Sequence, residues 1–164
     1  MNRLLVSTTA ASVIVSVTAA PRAAAQSAKD LVGTWTLVSA VAVQDGARIE
    51  TFGTNPTGTL MFGSNGRYAL IFLRNDLPAL ASNNRTVSTP EENRVIAQGI
   101  IAHFGNYRVD EADRLLVFYI EKSTFPSWDG AEQRRAYALS GDELTYTSPG
   151  STGIAAKVTL QRLK

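Results

Sequence analysis

Few side chains in this sequence can carry chemistry, and their number limits which chemistry. His103 is the only histidine and there is no cysteine, so every thiolate nucleophile, thiolate metal site and multi-imidazole zinc or iron centre is excluded. A haem on this single imidazole is the one cofactor conceivable for it. A place in the last turn of a helix, where the dipole favours a cation, accounts for the residue without one, and the sequence calls for no cofactor. No Gly-x-Ser-x-Gly elbow, phosphate loop or dinucleotide fingerprint occurs. Acid–base chemistry would fall to Tyr107, Tyr119, Glu121 or Arg135, whose pKa values burial would shift. Tyr is also ordinary strand material, and Glu121 beside Lys122 suits a solvated strand end. Whether the chain is an enzyme is left open, with binding the better supported reading.

The elements that must position these groups are mostly strands. The run 31–43 places Trp35, Leu37, Ser39, Val41 and Val43 on one face, and Asp45-Gly46 turns it into 48–52. Residues 59–62 and 67–73 flank Ser64-Asn65-Gly66 as a hairpin, with Leu60, Phe62, Tyr68, Leu70 and Phe72 sharing a surface. Residues 74–89 lack periodicity and read as a long loop that could cover a pocket. Thr89-Pro90-Glu91-Glu92 is a capping box with Pro in the first turn, so a helix starts there. Val95, Ile96, Ile100 and Ile101 give it an apolar stripe, and Gly105 is the expected stop, with His103 in the last turn.

Strands are expected to resume over 106–109, 114–123, 133–139, 144–148 and 155–163. That makes about nine strand segments, more than the usual ~4 to 6 of one sheet, which favours closure into a barrel. The expected fold is all-β with one short helix: an antiparallel up-and-down barrel of about eight to ten strands.

The first 25 residues stand apart. Arg3 followed by the apolar run 4–20 and by Ala23-Ala24-Ala25 is the pattern of a signal peptide cleaved after Ala25, leaving 26–164 as one domain of ordinary size. The run is shorter than the ~20 residues of a spanning helix, so no stable membrane anchor is expected and the mature domain is placed in the periplasm or outside the cell. Of 16 basic and 14 acidic residues, the leader carries Arg3 and Arg22 and no acid, so the remainder is formally neutral and nothing in its charge argues for nucleic acid.

A family resemblance then enters through residues in order. Leu31-Val32-Gly33-Thr34-Trp35, Pro56-Thr57-Gly58-Thr59-Leu60, Thr89-Pro90-Glu91-Glu92, Gly105-Asn106-Tyr107-Arg108-Val109-Asp110, Phe125-Pro126-Ser127-Trp128-Asp129-Gly130, Gln133-Arg134-Arg135 and Gly141-Asp142-Glu143-Leu144 resemble the bacterial and fungal lipocalin-like domain family. The Gly-x-Trp at Gly33-Thr34-Trp35, with Arg162 near the other end, is similar to the lipocalin arrangement in which an Arg stacks on the indole and closes the barrel floor. The resemblance implies a barrel with an interior cavity. Some fungal relatives sit in natural-product pathways, which keeps an isomerase, cyclase or hydrolase of a secondary metabolite as the alternative. Members often carry His near the position of Phe118, so this chain departs from the pattern there.

With Trp35 inward, Tyr68, Phe72, Tyr107, Phe118, Trp128, Arg135 and Tyr137 are the candidate ligand-binding residues. An inward Arg135 would require an internal carboxylate or an anionic ligand group, whereas an outward one would need neither. Trp128 would be either a lid at the mouth or a staple for its own loop. The expected partner is a small hydrophobic or amphipathic molecule, against a third reading in which side chains fill the interior and no ligand is held. Nothing in the sequence fixes an oligomeric state.

Overall fold

The computed structural model describes residues 27–164, so the expected leader and its cleavage point lie outside the described residues. Nine strands form one antiparallel sheet: β1 (Gly33–Gln44), β2 (Ala47–Glu50), β3 (Thr57–Phe62), β4 (Arg67–Leu73), β5 (Ile100–Asp110), β6 (Leu115–Ser123), β7 (Glu132–Ser140), β8 (Glu143–Ser148) and β9 (Ala156–Arg162). Each of β3 to β8 pairs with the next, β1 pairs with β3, and β9 returns to β1 from Trp35↔Arg162 to Ala42↔Ala156. The result is a closed barrel of eight strands with β2 as an extra strand on the far half of β1. No helix among the described residues is long and apolar enough to cross a membrane.

Apart from the tight β1–β2 turn at 45–46, the connections sort by length between the two ends of the barrel. Short hairpin turns at 63–66, 111–114 and 141–142, with the one-turn α1 (Ala28–Leu31), gather at one end. The segments 51–56, 74–99, 124–131 and 149–155 gather at the other. The first end is closed by Trp35, which is fully buried. Its indole N–H donates to the Leu31 carbonyl at 2.8 Å, and the Arg162 guanidinium lies 4.2 Å from its ring centroid. Arg162 also donates to the carbonyls of Val32 and Asp30. Gly33, at φ 131, makes the approach possible: a Cβ there would stand 3.2 Å from Arg162 Nη1.

Two expectations are corrected. In β1 the period of two breaks at a bulge between Leu37 and Ser39, where Val38 is the additional residue. Beyond it Ala40 and Ala42 face inward in place of Ser39, Val41 and Val43, and Val43 is 65% exposed. The helix starts as expected, with Thr89 accepting from the Glu92 amide in a capping box, but α2 (Pro90–Gly99) ends at Gly99. Ile100 and Ile101 belong to β5, which pairs with β4 from Leu73↔Ile100 to Arg67↔Asn106. β-branched residues favour that pairing, and alternation then turns Ile101, His103, Gly105 and Tyr107 inward. Gly105 does not stop a helix. It lies at the β5–β6 register shift, where a Cβ would come within 1.9 Å of the Tyr119 carbonyl oxygen.

Candidate functional site

The barrel interior is apolar at the Trp35 end and mixed about halfway up. Leu60, opposite Trp35 on β3, and Phe62, Leu116, Leu144 and Leu160 belong with Trp35 to one buried core cluster. Above them β4, β5, β7 and β8 turn in Tyr68, His103, Gln133 with Arg135, and Tyr146, all buried. Strand parity puts them there: one outward residue separates His103 from Ile101, Tyr146 from Leu144, Tyr68 from Leu70, and Arg135 from both Gln133 and Tyr137.

Arg135, 1% exposed, is the centre of this group. Gln133 Oε1 accepts from its Nε at 3.2 Å and from its Nη2 at 2.6 Å. The guanidinium also lies over two rings, 4.4 Å from the Phe118 centroid and 5.1 Å from that of Tyr146. No carboxylate among the described residues pairs with it: every ion pair found there joins other groups. Burial lowers the Arg135 pKa, opposed by the neighbouring phenols of Tyr146 and Tyr68.

His103 is 3% exposed, and its Nδ1 shares a hydrogen bond of 2.8 Å with the Tyr68 hydroxyl. Burial, reinforced by the Arg135 charge, pulls its pKa down to about 3, so the ring is neutral at physiological pH. Burial raises the Tyr68 pKa and pushes that of Tyr146 up to about 12. The Tyr146 hydroxyl and Thr51 Oγ1 are buried without a hydrogen-bond partner.

Beside this group lies a cavity of about 40 Å3, with His103, Arg135 and Tyr146 among its polar lining and Phe52, Leu70, Phe72, Ile101 and Trp128 among its apolar lining. Thr51, Phe52, Ile101 and Ser151 also line a larger recess of about 390 Å3 at the end that carries the long connections, so the recess is a vestibule to the cavity. Trp128 comes from a 3-10 turn at 126–128 in the β6–β7 connection. Its ring meets those of His103 and Phe125 edge-on, with centroids 5.9 and 5.5 Å away.

Of the residues expected to form a site, Phe72, Trp128 and Arg135 reach the cavity wall. Tyr68 and Phe118 stand behind it, with ring centroids 4.6 Å apart. Tyr107 packs on Phe62 and donates to the Gly63 carbonyl at 3.0 Å, toward the closed end, and Tyr137 has Asp30, Glu111 and Arg114 as its charged neighbours there. Tyr119 and Glu121 are on the outer wall: Tyr119 accepts from Arg108 at 2.8 Å, and Glu121 pairs with Arg67. His103 and Tyr146 are the interior groups that sequence reasoning left outside the site. The signal for His103 was the alternation from Ile101 to Tyr107, hidden by its overlap with the helical pattern. That for Tyr146 was its place two residues after Leu144.

A sequence profile described as a lipocalin-like domain matches residues 32–162. Among solved structures, a redesigned β barrel is similar at 16% identity and a TM-score of 0.46, over 87% of this chain and 100% of that one. No curated protein matches the chain.

Proposed function

Because the chain belongs to the lipocalin-like domain family, we propose that it is an exported binding protein that holds a small apolar or amphipathic molecule at the open end of its barrel. One observation carries this reading: the aromatic and aliphatic lining of the inner cavity converges on a few buried polar groups, the pattern of small-molecule sites, and a vestibule of mixed lining adjoins it. The inner cavity of about 40 Å3 is well below the ~300 to 1,000 Å3 of typical ligand pockets. It suits the tip of a ligand whose bulk occupies the vestibule.

The Tyr68–His103 pair is the best acid–base candidate for the enzymatic alternative, but an imidazole with a pKa near 3 is a weak base at neutral pH. The interior therefore favours binding over proton transfer. Native mass spectrometry of the protein secreted to a heterologous periplasm, before and after organic extraction, tests the reading together with titration of an apolar fluorescent probe. An extractable small-molecule adduct or saturable probe uptake supports it. Retention of the leader counts against export, and a bare mass with no probe uptake favours a barrel filled by its own side chains.

A further inference from the structure

The polar group inside the barrel contains a cation and no anion. Arg135 is fully enclosed and stays protonated under any physiological condition, yet among the described residues its hydrogen-bonded side-chain partner is the neutral Gln133, which engages Nε and Nη2. A guanidinium has five N–H donors, so part of the fork is unspent. Buried charges are ordinarily paired, and the two rings beneath Arg135 offset this only in part.

A second, independent observation points to the same place. Tyr146 and Thr51 line the cavity that Arg135 lines. Thr51 Oγ1 is buried without a hydrogen-bond partner, and the buried Tyr146 hydroxyl has none of good geometry, its one polar neighbour being the Arg135 guanidinium itself. Three polar groups with unused capacity thus face one small void beside a vestibule of mixed polar and apolar lining. The void has room for a compact group only, and the vestibule has an apolar side of Phe52, Ile101 and Phe125 and a polar side that includes Gln98, Thr124 and Thr152.

We propose that the ligand is an amphiphile with a single carboxylate, taken up head first, so that the carboxylate meets the free edge of Arg135 beside Tyr146 and its hydrocarbon part lies in the vestibule. One cation calls for one negative charge, and the planar fork of Arg matches a carboxylate in two parallel hydrogen bonds. The inference rests on the binding reading above and adds the charge, the shape and the direction of entry.

The test is calorimetric titration of the purified protein with octanoate, 1-octanol, acetate and chloride, repeated on Arg135→Met and Tyr146→Phe. Octanoate is expected to bind at least tenfold more tightly than 1-octanol, with acetate and chloride far weaker. Arg135→Met should remove the difference and leave 1-octanol binding in place. Tyr146→Phe, which alters no charge and keeps the ring, should weaken octanoate alone and gives the answer if Arg135→Met does not fold. Equal affinity of octanoate and 1-octanol overturns this inference and leaves the binding reading intact, as does a preference that survives both substitutions. Chloride saturating the site as well as octanoate would make it an inorganic-anion site and overturn the amphiphile. Binding of neither octanoate nor 1-octanol overturns both readings.

Discussion

The Arg135 guanidinium rests over the Phe118 ring, 4.4 Å from carbon to centroid, where a carboxylate partner would be the ordinary solution for a buried cation. The ring's quadrupole favours the charge, though less than an ion pair would. An imidazole in place of Phe118 would put a competing cation beneath the guanidinium at low pH. Arg135 and Phe118 are thus best treated as one unit, and their substitutions should not be additive.

Arg135→Met is expected to leave stability unchanged or raise it, by up to about 1–4 kcal/mol, because an unpaired buried charge is replaced by an apolar chain of similar length. Urea unfolding of the ligand-free protein checks this. A large loss would mean that Arg135 is retained for packing.

At the closed end, Trp35→Ala should cost about 3–5 kcal/mol, the range for removing a large buried aromatic. Gly33→Ala should cost about 1–3 kcal/mol, since it places a side chain at positive φ against Arg162. Chemical denaturation measures both, and values near zero would remove Trp35 and Gly33 from barrel closure.

His103 should make stability depend on pH. It titrates near 3 in the folded protein against 6.5 in the unfolded chain, so between those values the unfolded chain binds more protons and stability falls as the pH falls. Its contribution is complete above about pH 6.5 and lost by about pH 3. From about pH 7 to about pH 5 the wild type should lose roughly 2 kcal/mol more than His103→Gln. Parallel slopes for the two proteins would show that the ring is solvated.

How much of this was legible in the sequence varied from element to element. The β3–β4 hairpin was readable because Leu60, Phe62, Tyr68, Leu70 and Phe72 keep strict alternation across a tight turn, and all are buried. The start of α2 was readable because a capping box is a local hydrogen-bond pattern. Its end was not: Ile100 and Ile101 satisfy a helical stripe and a strand equally, and only pairing with Leu73 and Phe72 decides between them. The inward face of β1 beyond Leu37 was hidden by one additional residue, Val38, whose bulge depends on the partner strand. The side of the barrel on which Arg135 lies followed from parity only once the register of β7 was known.

Gly105→Ala should cost about 1–3 kcal/mol or prevent folding, since its Cβ would meet the Tyr119 backbone and force β5 and β6 apart. The yield of folded protein and its urea midpoint report this. Full tolerance would contradict the register shift.

Trp128 and Trp35 are the two tryptophans, one at the cavity and one at the floor, so fluorescence can tell where a ligand sits. An apolar probe should change the emission of wild type and of Trp35→Phe, and leave that of Trp128→Phe nearly unaltered. Trp128→Ala should weaken probe binding by about tenfold, near 1.4 kcal/mol. A response carried by Trp35 would place the ligand at the wrong end.

The seam between β1 and β9 brings both ends of the described chain to the Trp35 floor, with the Leu163 amide donating to the Thr34 carbonyl at 2.8 Å. A tag, a solid support or a second protein joined directly to either end of residues 27–164 would therefore hold the barrel by its base with the opening turned outward. The molecule is already oriented for immobilisation as a sensor, and its long connections can be diversified without disturbing the attachment.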